Sequence, residues 1–311
     1  MKSKAFHTIT IFFCIALFFF PRLTASQESD SIIMSPIKSE AFKVMNHFFD
    51  YDKSIPLGAR TVEKNEDINY IREKIVFEGI ANSRVPGYLG IPKKGNGPYK
   101  CVLVLHGVGD SKESWWKENS FNSGRLLTER LIDSGFAVLS LDAEYHGERM
   151  LNNDYESADV FIFQKGWVMR ARDMIVQTVI EYRRAMDYLA TREEIDSTGF
   201  GAIGYSMGGM MVFNLSAVDS RLNTAVASVT PVLKEPFSAL AVYNFAPFVK
   251  TSSFLMLMGE SDNRNYSKTD GQKLYDLLKS KNKEIKWFDS GHKLPDEWTT
   301  SAATWISKYL K

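Results

Sequence analysis

Five consecutive apolar residues, Cys101-Val102-Leu103-Val104-Leu105, constrain the fold of this chain more than any other stretch. A strand that is apolar at every position has no face for water, so it belongs inside a sheet covered on both sides, and sheets of that kind are parallel. Parallel neighbours need crossover connections, usually helices. The sequence supplies them in alternation. Helical spacing over residues 125–132, 166–190, 207–217, 272–278 and 296–310 is interleaved with strand-like runs at 136–141, 200–205, 224–229, 254–258 and 284–288. Looser strand signals at 70–77 and 88–91 come first. The pattern predicts an α/β fold: a doubly wound, mostly parallel sheet over residues 70–311. The stretch between Val229 and Phe254 is too short for a large lid domain.

What precedes residue 70 reads differently. Lys2 and Lys4 lead into an apolar run from Ile9 to Phe20, broken by Pro21 and followed by Ala25 before Ser26. That is the layout of a secretory signal peptide over residues 1–25, and the run falls short of the roughly 20 residues of a membrane-spanning helix. An uncleaved N-terminal anchor is the alternative. Residues 26–69 read as a Ser-rich leader and a short helix that packs Phe42, Val44, Met45, Phe48 and Phe49 on the body. The expected location is secreted or periplasmic, with no stable membrane partner once the signal is removed. Lys+Arg total 38 against 37 Asp+Glu, a net charge of +1, which gives no electrostatic footprint for nucleic acid. The two cysteines, Cys14 and Cys101, rule out a disulfide scaffold and a Cys-rich zinc site.

Gly204-Tyr205-Ser206-Met207-Gly208 carries the chemistry. An apolar strand runs into it and an apolar helix runs out, the setting a Gly-x-Ser-x-Gly nucleophile turn requires. The glycines permit a tight strand-to-helix approach around a strained serine, whose hydroxyl then stands at the carboxyl edge of the sheet where open α/β folds bind ligands. Enzymes built on this turn run serine, acid, histidine along the chain. Of five histidines only His292 follows Ser206, in a loop just past a strand. The acid is expected after the strand at 254–258, where Glu260 and Asp262 both stand; Asp262 is preferred and Glu260 stays open. A buried acid there would hold the imidazole tautomer. His106-Gly107-Val108-Gly109 closes the first buried strand, which makes the Val108 and Met207 amides the candidate oxyanion donors. His106 itself reads as structural, because it precedes the serine.

Tyr145 and His146 follow a strand's carboxyl end, and Trp115 follows the oxyanion loop. All three are candidate substrate contacts, with a structural turn or a core position as the competing reading. The aromatics Tyr243, Phe245 and Phe248 wall a pocket or simply pack. No zinc-type spacing, no Gly-x-Gly-x-x-Gly at a strand end and no P-loop is present, so neither a metal nor a nucleotide cofactor is expected.

Together His106-Gly107, residues 141–149 (Leu-Asp-Ala-Glu-Tyr-His-Gly-Glu-Arg), the helix ending at Arg192, the Gly-Tyr-Ser-Met-Gly-Gly turn and Gly291-His292 resemble the α/β-hydrolase superfamily, and most of all bacterial dienelactone hydrolase-like and acetyl esterase-like serine esterases. The resemblance spans residues 70–311. It implies an α/β-hydrolase-type sheet and a serine hydrolase cleaving carboxylic esters through an acyl-enzyme on Ser206. The expected substrate is a small-molecule or carbohydrate ester with a short acyl group, acetyl to butyryl. Dienelactone hydrolases proper use cysteine where this chain has Ser206, which speaks against dienelactone hydrolysis in the strict sense. A serine peptidase of the prolyl oligopeptidase-like type, or a catalytically silent α/β-hydrolase that binds a ligand, are the competing functions.

Overall fold

The computed structural model describes residues 33–80, 83–233, 238–262 and 266–311. The expected signal peptide lies outside the described residues. Helix α1 (Ser39–Asn46) and a following 3-10 turn bury Phe42 and Phe49. Then come β1 (Arg60–Glu66), β2 (Tyr70–Glu78), β3 (Arg84–Pro92), β4 (Tyr99–Leu105), α2 (Gly124–Asp133), β5 (Ala137–Leu141), α3 (Val168–Leu189), β6 (Ile195–Tyr205), α4 (Met207–Val218), β7 (Leu222–Ser228), α5 (Val242–Phe245), β8 (Ser253–Gly259), α6 (Lys268–Leu277), β9 (Asn282–Phe288) and α7 (Glu297–Tyr309).

Among the described residues one nine-stranded sheet holds all the strands, in the order β1-β2-β3-β5-β4-β6-β7-β8-β9. The pairs from β5 through β9 are parallel, and β1, β2 and β3 add an antiparallel wing. In β4 all five residues of the apolar run are fully buried, and β5 and β8 are buried from end to end. These are the strands whose sequence leaves no polar face, so burial on both sides is the physical requirement that sets their central place. Helix α2 packs on α7, and α4 packs on both α3 and α5. All twelve residues of α4 are buried, as expected of a helix that is apolar all round.

Three features depart from the sequence reading. Val44 and Phe48, expected to pack on the body, are exposed, because the short α1 and its following turn bury only Phe42 and Phe49. The sheet begins ahead of residue 70: β1 pairs with β2, yet all seven of its residues are exposed. A strand with no buried face carries no apolar alternation to read. Between β5 and α3 the chain makes a 3-10 turn at Gly147–Asn153 and a π turn at Val160–Gln164. These short irregular turns have too little periodicity to detect. Among the described residues no helix is long and apolar enough to cross a membrane.

Candidate active site

Ser206 has φ 57° and ψ −118°, a conformation that costs a non-glycine residue free energy. It is held there from several sides. The Ser206 N–H donates to the Ser228 carbonyl at 2.9 Å, which ties the turn to β7. A Cβ on Gly204 would fall 2.1 Å from the Gly208 carbonyl oxygen, and one on Gly208 would fall 1.9 Å from that of Leu105. Backbone therefore occupies the space a side chain would need, and the strand-to-helix crossing depends on both glycines.

The structure brings Ser206, His292 and Asp262 into one relay. His292 Nε2 lies 2.9 Å from Ser206 Oγ, and His292 Nδ1 lies 2.5 Å from Asp262 Oδ2. Asp262 follows β8 and is 4% exposed. Glu260 points elsewhere, pairing with Lys268 at 2.7 Å on the surface. Of the two acids left open by the sequence, Asp262 is the one against the imidazole.

Tyr205, the variable residue of the turn, holds the histidine loop. Its hydroxyl donates to the His292 carbonyl at 2.8 Å and accepts from the Leu294 N–H at 2.9 Å. Burial pushes the phenol pKa up, so the hydroxyl keeps its proton. Tyr266 does a similar job beside the acid, donating to the Gly259 carbonyl and accepting from its N–H. Neither tyrosine carries a sequence signal, because the bonds close over loops whose paths only the fold defines.

The Gly107 turn sits against the serine: a Cβ there would lie 3.4 Å from Ser206 Cβ. Among the described residues the Val108 and Met207 N–H groups have no hydrogen-bond partner. Met207 opens α4, where an N–H has no carbonyl within its own helix. The turn is anchored behind by Lys112, whose N–H and ammonium both donate to the fully buried Asp142, at 2.9 and 2.8 Å. Glu148 N–H adds a third bond to Asp142 at 3.0 Å.

Two compartments meet at Ser206 and His292. One is an apolar cavity of about 600 Å³, walled by α3 and α4 residues such as Met174, Ile175 and Met210 and by Leu240. The other is a groove of mixed character, about 390 Å³, with Asp110, Lys117, Asn119, Ser120 and Asn122 among its lining residues. Val108 and Phe121 border both. The apolar cavity is larger than the small acyl pocket expected from the short Val229-to-Phe254 stretch. Its walls come mainly from α3, α4 and the π turn rather than from that stretch. Two of the aromatics there pack instead on α1 and the turn after it: Phe248 stacks on Phe42 at 4.0 Å, and Phe245 meets Phe42 and Phe49 edge to face.

The three expected substrate contacts lie elsewhere. Trp115 is fully buried and belongs to the core. His146 is 2% exposed, packed 5.0 Å from the His106 ring, with Nδ1 2.8 Å from the Glu144 carbonyl. Tyr145 packs edge to face on Phe161 under Arg170 and lines a separate surface groove. Position after a strand's carboxyl end is a weak signal, since the chain turns back into the core there. His106 accepts the Ala143 N–H on Nε2 at 3.0 Å, a structural role.

Comparison with known proteins agrees with this architecture. The chain is similar to acetyl xylan esterase 1 from a Thermoanaerobacterium species (17% identity, TM-score 0.68, covering 88% of this chain and 94% of that one). It is also similar to a dienelactone hydrolase from Anabaena variabilis (17% identity, TM-score 0.57, covering 78% and 100%). Among curated proteins it resembles YtaP of Bacillus subtilis, 27% identical over 175 residues, which is 55% of this chain and 56% of YtaP. The match thus spans only about half of that relative's length, and 40% and 36% of two others, from Pseudomonas aeruginosa and Escherichia coli. Residues 85–292, which run from β3 to the histidine of the relay, match the dienelactone hydrolase family as a whole, and the chain belongs to that family.

Proposed function

We propose that this chain hydrolyses carboxylic esters through an acyl-enzyme on Ser206. The reading rests on one observation above all: the Asp262–His292–Ser206 relay, with a strained serine opening onto a cavity. His292 Nε2 takes the Ser206 proton as Oγ bonds to the ester carbonyl carbon, and the carbonyl π pair moves onto oxygen beside the Val108 and Met207 N–H groups. Collapse of that intermediate breaks the bond to the alcohol oxygen, which leaves with the proton from His292. Water then gives a proton to His292 and attacks the acyl carbon. The serine oxygen departs with that proton, and the carboxylic acid is released.

The hydrogen-bonding side chains of Asp110, Lys117, Asn119 and Asn122 along the groove favour a hydroxyl-bearing alcohol such as a sugar, and the structural likeness to acetyl xylan esterases points the same way. The basic and apolar N-terminal segment supports action outside the cytoplasm. The experiment is labelling with a fluorophosphonate probe, run beside Ser206→Ala. Labelling of the parent chain alone, with ester turnover lost about 10³-fold or more in the variant, is expected. A folded Ser206→Ala with near-parental turnover would overturn the mechanism. Failure of the parent chain to label would favour a silent binding protein.

A further inference from the structure

We infer that the apolar compartment is an acyl subsite for medium chains, about six to ten carbons, so the preferred ester is a medium-chain acyl group on a polar alcohol; this rests on the hydrolytic reading above. The argument starts from size. With about one water-sized share, ~30 Å³, per methylene, a butyryl group would fill roughly a fifth of the 600 Å³. A chain of six to ten carbons would take about a third to a half of it, leaving slack for the bends a flexible chain makes.

Chemistry agrees with size. Met174, Ile175, Met210 and Leu240 offer no hydrogen bond to a sugar, while a hydrocarbon chain would bury against them. Two methionines suit a chain of variable path, because their side chains repack easily. The mouth gives a separate indication. Phe121 and Phe163 both line the cavity and remain 51% and 70% exposed, so an acyl chain entering there would remove two large apolar surfaces from water. The opposite compartment is less apolar and carries the hydrogen-bonding side chains of Asp110, Lys117, Asn119 and Asn122. The two sides of an ester thus sort by polarity across Ser206, acyl chain to one side and alcohol to the other.

Each methylene that enters an apolar site is worth about fourfold in kcat/KM. A rise of at least tenfold from butyryl to octanoyl nitrophenyl esters is therefore expected, with the optimum between six and ten carbons. The direction is tested with two isomers, methyl octanoate and heptyl acetate, followed by acid release in a pH-stat. Methyl octanoate is expected to be preferred by at least tenfold. An optimum at acetyl, or preference for heptyl acetate, would overturn the inference. Acetyl-ester turnover with no gain on lengthening leaves the esterase reading standing and removes the acyl subsite. No turnover of any ester and no labelling of Ser206 removes both.

Ala171→Leu, on the cavity wall, should lower the octanoyl-to-acetyl ratio at least tenfold. Should that variant fail to fold, Phe163→Ser at the exposed mouth should lower the same ratio about threefold or more. A ratio unchanged in the folded variant would also overturn the assignment.

Discussion

Replacing Asp262 by asparagine removes one negative charge and leaves the shape of the side chain almost unchanged. The carboxylate lies 2.5 Å from His292 Nδ1, and the far nitrogen of the same ring lies 2.9 Å from Ser206 Oγ. Two losses follow. When the ring takes the serine proton it becomes an imidazolium, and its attraction to a carboxylate about 4 Å away is worth roughly 4 kcal/mol at an effective dielectric near 20. That alone is about 10³ in rate, at ~1.4 kcal/mol per factor of ten. The second loss is one of tautomer. An asparagine amide that donates to Nδ1 forces the ring proton onto Nε2, where it faces Ser206 and cannot accept a proton. The two losses together give a fall in kcat of about 10⁴. The assay is steady-state turnover of an aryl ester, with thermal unfolding as a check on folding and Glu260→Gln as a companion. Glu260 pairs with Lys268 on the surface, so its variant should stay within about twofold of the parent. If folded Asp262→Asn keeps more than a tenth of parental turnover, or loses no more than Glu260→Gln, the proposed role of Asp262 is wrong.

Other perturbations reach the scaffold. Gly208→Ala puts a methyl 1.9 Å from the Leu105 carbonyl oxygen, and a loss of at least about 3 kcal/mol is expected in urea unfolding; parental stability would contradict the tight crossing. Lys112→Met leaves the fully buried Asp142 charge with backbone donors only, and the expected cost is about 3–5 kcal/mol. A loss below ~1 kcal/mol would show that those N–H groups suffice. His146 is buried and its pKa is lowered to about 3, chiefly by desolvation and next by His106. Below the unfolded value, near 6.5, protons therefore favour the unfolded chain, and stability is lost as pH falls from there towards 3. At pH 5 that cost is about 2 kcal/mol, so the fall in Tm from pH 7.5 to 5 should be about 4 °C smaller in His146→Gln. Equal falls in both proteins would refute it.

The central sheet is readable in the sequence because burial on both faces demands unbroken apolar runs, as in β4 and β8. The residues of the relay are readable for a different reason. A nucleophile turn needs its glycines, and one histidine alone follows it in the chain. What stays hidden is whatever depends on contacts between distant loops. Choosing Asp262 over Glu260 requires knowing which way a three-residue loop faces. The Tyr205 bond to the His292 carbonyl joins residues 87 positions apart and has no local signature. Trp115 misleads because a tryptophan after an active-site loop serves the core as well as a rim. The apolar cavity stays hidden too, its walls drawn from helices whose apolar residues also read as ordinary core.

Strand β1 has a consequence for how the molecule behaves in company. An outermost strand offers unpaired backbone groups to any passing chain, and a flat apolar one would recruit copies of itself into a continuous ribbon. Here Arg60, Glu63, Lys64 and Glu66 occupy four of seven exposed positions, and the register slips between Thr61 and Glu63. Charge makes a neighbour's approach costly, and the slip spoils the straight edge it would need. The opposite border, β9, exposes the charges of Glu284 and Lys286. A sheet with charged borders can therefore stay dispersed at concentrations where a bare edge would seed aggregates.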